Sequence, residues 1–405
     1  MGYFLSMHIK NANYNLLILI VIPIIFSIAN EDWLFGVPAE SDNWINYNFF
    51  QDFSNEFITE DRIPTPFPYK FSRISVFAVG YPLHQIFSPI TAYYIYTLMF
   101  FYMATIGLYM IVKNILNQHV AIITAIVLSC YKFFHTPISF EMMYQNYPCL
   151  GYFMLTVLFA VLTTRKENYK LWLFLSGAFF AASLSQILYV NFFPSLALLY
   201  YLLNRRYGQH ALLPSLMWFT VGAITMTFIF STISYFAQDV FCYFCSQVQQ
   251  VFYWGEESRY LGTMRGGGVY WVSVQEALKA PHLRGIIAAA IVSLFAIVFF
   301  RKKKDENYMN SLALMGVYLL AFFIQLFWQA WGQILLSYPY MTYNLIPIFF
   351  LALAGIYSIL IQDLWKNRNI HIIVVLFTLS VFISTQIFYD QFQSSLTFLF
   401  GFQEF

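Results

Sequence analysis

The sequence predicts an all-α polytopic membrane protein of about eleven transmembrane helices, with a cytoplasmic N-terminus and a long first outer loop. Three observations carry that expectation. The 405 residues are 60% hydrophobic and only 10% charged, with a mean hydropathy of +0.62; a soluble domain averages roughly 25% charged residues. Apolar runs of about 17–25 residues recur along the chain, long enough to cross roughly 30 Å of hydrocarbon. The charges are also partitioned along the chain, as described below.

Taken in order, the expected spans are 14–30, 89–112, 119–136, 147–164, 169–185, 188–203, 212–237, 283–300, 308–330, 341–362 and 370–388. The first is not followed by a small-residue cleavage pattern and reads as a retained span. The fifth and sixth are divided only by a tight polar turn near Gln186 and Asn191. The helices share one bundle, so residues 1–405 form a single domain. The 17 residues after the last span are too few for a core of their own.

Orientation follows from the positive-inside rule. With the N-terminus in the cytoplasm, the inner loops hold Lys10, Lys113, Arg165, Lys166, Lys170, Arg205, Arg206, Arg301 to Lys304, Lys366 and Arg368, thirteen of the 21 basic residues. The outer segments hold 15 of the 19 acids and are much longer. An odd number of spans keeps this alternation. Cell (inner) membrane placement is expected, with no nucleic-acid partner.

Two outer segments are long, residues 31–88 and 238–282. The first holds Glu31, Asp32, Glu40, Asp42, Asp52, Glu56, Glu60 and Asp61 against Arg62, Lys70 and Arg73. Pro64, Pro66 and Pro68 forbid a continuous helix there. From Arg73 onward it reads either as an interfacial amphipathic helix or as a short lead into the second span. The cytoplasmic connections are short, so the room for a site lies on the outer side.

Four constellations there can carry chemistry. In ESDNWINYNFFQDF, residues 40–53, Asp42 with Glu40 offers a general base among Trp44, Tyr47 and Phe49. Burial would raise its pKa towards that task; the same pair could share a divalent cation, Mg or Mn. The bland alternative is a solvated acidic loop. Arg259 and Arg265, with Gly266, Gly267 and Gly268, suit bidentate phosphate contact; a mobile interfacial loop is the alternative. Glu141, near Tyr144 and Asn146, is a lone acid that could join a metal site or bind sugar hydroxyls. In SYPYMTYNLIPIFFLALAG, residues 337–355, Tyr343 and Asn344 open a span as an aromatic belt with a helix-start proline. His84 and His135 stand singly and read as interfacial polar residues. Cys242 and Cys245 form C-x-x-C at a membrane boundary. Zinc would need two more ligands nearby, so the pair reads as structural, with an incidental disulfide as the alternative.

Together these stretches resemble the C-type (GT-C) membrane glycosyltransferase superfamily, which includes protein mannosyltransferases and aminoarabinose transferases. The resemblance rests on the Asp42 to Tyr47 run in the acidic loop, on RISVFAVGYPLHQIF and the apolar stretch after it, and on PYMTYNLIPIFFLALAG. It covers most of the chain in layout, through short motifs. It implies a polyprenyl-phosphate or diphosphate sugar donor and a glycan, lipid or protein acceptor on the outer side. It makes Asp42 the base, with Glu40 second. Many relatives place a basic residue just before the late motif, where this chain has Tyr338 and Tyr340. Donor phosphate would then fall to Arg259, Arg265 or Lys279. Two other readings compete. One is a polysaccharide polymerase or O-antigen ligase-like enzyme that leans on the outer arginines. The other is a lipid or glycan transporter, for which charged residues inside the spans would speak; almost none are found.

Overall fold

The computed structural model describes residues 14–22, 24, 50–52, 72–129, 137–164, 168–185, 187–208, 210–245, 248, 281–303, 305–331 and 343–364. Among these residues every regular element is helical. Residues 14–22 form α1. Then come α2 (Ile74–Ile86), α3 (Pro89–Ile115), α4 (Gln118–Ser129), α5 (Pro137–Thr163), α6 (Tyr169–Ser183), α7 (Phe193–Leu203), α8 (Leu212–Gln238), α9 (Pro281–Phe300), α10 (Glu306–Trp331) and α11 (Ile346–Leu364). Helices α3 through α11 overlap the stretches expected as spans from 89 to 362, although α5 begins at Pro137, ten residues before the expected 147; the last, 370–388, lies outside the described residues.

Local chemistry sets the helix limits. Pro89 starts α3 at a position where its missing N–H costs nothing. Asn117 Oδ1 accepts the Val120 N–H at 2.9 Å and opens α4. Asp305 Oδ1 does the same for Asn307 N–H at 3.0 Å before α10. Asp239, at φ 54°, ends α8 in the left-handed conformation that Asp tolerates better than most residues. Inside the helices, Thr105, Thr124, Ser129 and Thr156 donate their hydroxyls back to the carbonyl four residues earlier. That satisfies the polar group where no water is at hand.

Among the described residues, three helices are long and apolar enough to cross a membrane, over Tyr94–Ile115, Leu212–Gln238 and Glu306–Leu326. Glycine lets several pairs approach closely, as in membrane bundles. A Cβ on Gly177 would fall 1.9 Å from the Phe219 carbonyl oxygen, and one on Gly222 would fall 1.9 Å from that of Phe174. These two glycines seat α6 on α8. Gly151 lies against Phe100 and Met103, joining α5 to α3, and Gly355 meets Ser311, joining α11 to α10. The core is centred on α3, α5, α10 and α11. By contrast α8 and α9 turn Leu213, Ile224, Phe228, Phe236, Phe295 and Phe299 outward. A continuous apolar face of this kind is costly in water and suits hydrocarbon.

One end of the bundle is tied by polar contacts among basic connections. Asn310 Nδ2 donates to Ile115 O at 2.7 Å and to Tyr207 Oη at 2.9 Å. Tyr207 donates to Glu306 Oε1 at 2.5 Å, and Arg206 donates to Asn310 Oδ1. Asn204 closes its turn on His210, donating to the carbonyl at 2.7 Å and accepting the N–H at 2.9 Å. This basic end therefore gathers the C-terminus of α3, the turn after α7 and the start of α10. The opposite end holds the candidate site.

Candidate functional site

At that opposite end, α2 runs into the bundle rather than along its surface. Arg73, Ile74, Ser75, Val76 and Phe77 are all buried, whereas Ile86 and Phe87 are exposed. Hydrogen bonds hold the buried end. Ser75 Oγ donates to Ala182 O at 2.7 Å, so Ser185, 2.6 Å away, donates to Ser75 in turn. Tyr152 Oη donates to Ser75 O at 3.0 Å. The first turn of α2 is thus pinned between α5 and the end of α6.

Phe50 comes from the acidic stretch and is only 2% exposed. It sits where Gly80 has no side chain: a Cβ there would fall 2.0 Å from Phe50 Cε1. Its ring stacks on His84 with centroids 4.9 Å apart and meets Tyr96 at 5.3 Å. The aromatic line continues from Tyr96 to Phe100 at 4.9 Å and from Phe100 to Tyr152 at 5.1 Å. Burying one such phenyl ring stabilises by about 1.5–3 kcal/mol. Gln85 Nε2 adds a hydrogen bond to Gln51 O at 3.0 Å. Residues 50 and 51 are therefore fixed to α2.

Among the ionisable groups in this region are one arginine and one histidine. Arg73 is 4% exposed and makes polar interactions there. A buried guanidinium favours anionic or strongly dipolar company, because desolvation otherwise costs several kcal/mol, by rough estimate. His84 donates from Nδ1 to Gly80 O at 2.9 Å, since a carbonyl only accepts. Burial pushes its imidazole below the ordinary histidine value, and the bond to Gly80 opposes that in part.

A second polar feature lies where the 3-10 turns Ile187–Phe192 and Tyr343–Leu345 both pack on α10. Asn344 is 0% exposed, and neither its Oδ1 nor its Nδ2 has a hydrogen-bond partner. Asn191 Nδ2 is likewise buried without one. Unsatisfied buried amides are uncommon and call for a water or a ligand.

Of the residues expected from sequence, Asn344 is the one whose side chain the structure describes. Asp42, Glu40, Arg259, Arg265 and Lys279 lie outside the described residues, as do the side chains of Glu141 and Tyr343. Glu141 is in the first turns of α5, and Tyr343 opens the turn before α11. Among the described residues no three His, Cys, Asp or Glu side chains gather as a metal site. From sequence, Arg73 opens either an interfacial helix or a short lead into the second span and His84 is an interfacial residue; the structure buries both. The pattern FSRISVF, with apolar residues on both sides of the arginine, is the signal that could have found Arg73.

No family model matches the chain, and no curated protein matches it.

Proposed function

We propose that the chain is a multi-pass membrane glycosyltransferase of the C type, with about eleven spans and its acidic end outside the cytoplasm. In this reading it moves a sugar from a polyprenyl phosphate or diphosphate to a glycan, lipid or protein acceptor. The observation that carries the proposal is the seat of Phe50 on Gly80 and His84. It ties the acidic stretch to the end of the bundle where polar groups are buried. Asp42 is eight residues from Phe50, so it lies within roughly 28 Å of that anchor even if the chain is fully extended.

Asp42 takes the proton from an acceptor hydroxyl as its oxygen attacks the anomeric carbon. The glycosidic bond to phosphate breaks on the opposite face, polyprenyl phosphate or diphosphate leaves, and the configuration inverts. Glu40 stands second as base. Negative charge grows on the leaving phosphate, so a cation beside it lowers the barrier. Arg73 joins Arg259, Arg265 and Lys279 as a candidate for that role. Asn344 suits a neutral hydroxyl partner, since a carboxamide both donates and accepts. If a divalent cation takes part, the carboxylates of Asp42, Glu40 and Glu141 are its candidate ligands.

The test is transfer from a labelled polyprenyl-phosphate sugar by the detergent-purified protein. Asp42→Asn is expected to abolish transfer while leaving thermal unfolding unchanged. Full activity in that variant overturns the assignment. Loss with Arg259→Ala and Arg265→Ala, alongside a silent Asp42→Asn, would favour the polymerase or ligase reading.

A further inference from the structure

Beyond α8 the chain makes a short turn at the same end of the bundle as Phe50 and His84. Within it, Cys242 and Cys245 are joined as a disulfide, with Cα atoms 5.4 Å apart. The bond is not explained by stability. It links residues three apart, and a disulfide's stabilisation grows with the loop it closes. The turn also has its own anchor. Tyr243 is buried between the two cysteines in sequence and meets the ring of Phe230 on α8 edge-on at 6.1 Å. The Cys245 N–H donates to Cys242 O at 3.2 Å, and Val248 N–H to Phe244 O at 3.1 Å. A local fold held by a buried tyrosine and backbone bonds needs no covalent clamp.

Access points the same way. Cys242 and Cys245 are both partly exposed, whereas Cys149 is buried in the core and outside any disulfide. A partly exposed disulfide that closes so short a loop is of the labile kind, reached by an attacking thiolate. The bond also sits at the end of α8 away from the basic connections. That agrees with the oxidising side to which the charge pattern assigns this end.

We propose that Cys242 and Cys245 form a thiol–disulfide exchange site whose substrate is a protein dithiol. A thiolate of that dithiol attacks one sulfur of the pair. The Cys242–Cys245 bond breaks, a mixed disulfide forms, and the other cysteine leaves as a thiolate that takes up a proton. The partner's second thiol then displaces the mixed disulfide and gives up its proton. The net result is a Cys242/Cys245 dithiol and an oxidised partner, with two electrons and two protons passed to this chain. The site is independent of sugar transfer.

The experiment uses the full chain in detergent in a Cys130→Ser background, with reduced thioredoxin as the dithiol probe. Maleimide mass-tagging counts free thiols, and thermal unfolding is followed on the same samples. Thioredoxin is expected to open the bond reversibly, with the unfolding midpoint unmoved. The intact Cys242–Cys245 bond is expected to hold thioredoxin whose resolving cysteine is replaced as a mixed disulfide, with maleimide capping the displaced cysteine so that it cannot close back, and neither Cys242→Ser nor Cys245→Ser is expected to form it. A bond that resists thioredoxin in the folded protein overturns the proposal. So does a lowered unfolding midpoint on reduction, or the absence of a trapped adduct with the intact pair.

Discussion

The ring of Phe50 lies nearly parallel to the imidazole of His84, 21° between planes and 4.9 Å between centroids. One residue comes from the acidic stretch and the other from a helix that enters the bundle. The contact joins the region expected to do chemistry to the scaffold that would hold it. It also keeps His84 dry.

A pH dependence follows from that burial. The folded protein holds the His84 pKa below its unfolded value, so the unfolded chain binds the proton more readily. Stability from this group is full above about pH 6.5, the ordinary histidine value. It is lost as the pH falls through the lowered folded value. Thermal unfolding from pH 7.5 downward is expected to show a falling midpoint in the wild type and a shallower fall in His84→Phe.

Gly80→Leu should unseat Phe50. The first added atom already falls on the ring, and overpacking of this kind costs about 1–3 kcal/mol. Limited proteolysis is expected to cut between residues 40 and 53 faster than in the wild type. Phe50→Ala should give the same cleavage pattern. Unchanged cleavage in both variants would remove the anchor from the argument.

Replacing Asn344 separates a ligand contact from a fold contact. Its amide has no partner among the described residues, so Asn344→Leu is expected to leave the unfolding midpoint unchanged or raise it. Transfer should fall by about tenfold, the value of one lost hydrogen bond near 1.4 kcal/mol. A lower midpoint with normal turnover would show a purely structural asparagine.

Arg73 offers a third readout. If its guanidinium holds the donor phosphate, Arg73→Lys is expected to raise the donor KM by roughly 10–100-fold, in line with one or two charge-assisted bonds. Acceptor KM should stay near the wild-type value. A donor KM that does not move, in a protein that still folds, assigns the residue to structure alone.

The contact between α6 and α8 tests the helical packing itself. Gly177→Val and Gly222→Val each drive a side chain into backbone of the facing helix. Each is expected to lower stability by about 1–3 kcal/mol, read as a lower unfolding midpoint in detergent. Gly285→Val is the control, since a Cβ there meets nothing within 4 Å.

Much of the helical layout was legible because hydrocarbon-length apolar runs and the charges between them are local properties of the chain. The stretches around 89–112, 212–237 and 308–330 were each recognisable from composition alone. The C-x-x-C was visible too, though the bond it makes was the lesser of two expectations. Arg73 and His84 were misjudged for a single reason. Arg73 caps the start of a helix of only 13 residues, Ile74–Ile86, and His84 lies inside it; the helix is too short and too mixed to announce itself as part of a bundle.

The sequence by itself determined that this chain is helical and apolar, and where most of its helices begin and end. Those outcomes depend on residues close together along the chain. Only the tertiary structure decided that Phe50 finds Gly80, that Ser75 bonds Ala182 across 107 positions, and that the start of α2 is buried. These are contacts between distant segments, set by which surfaces fit once the helices pack, and no local pattern encodes them.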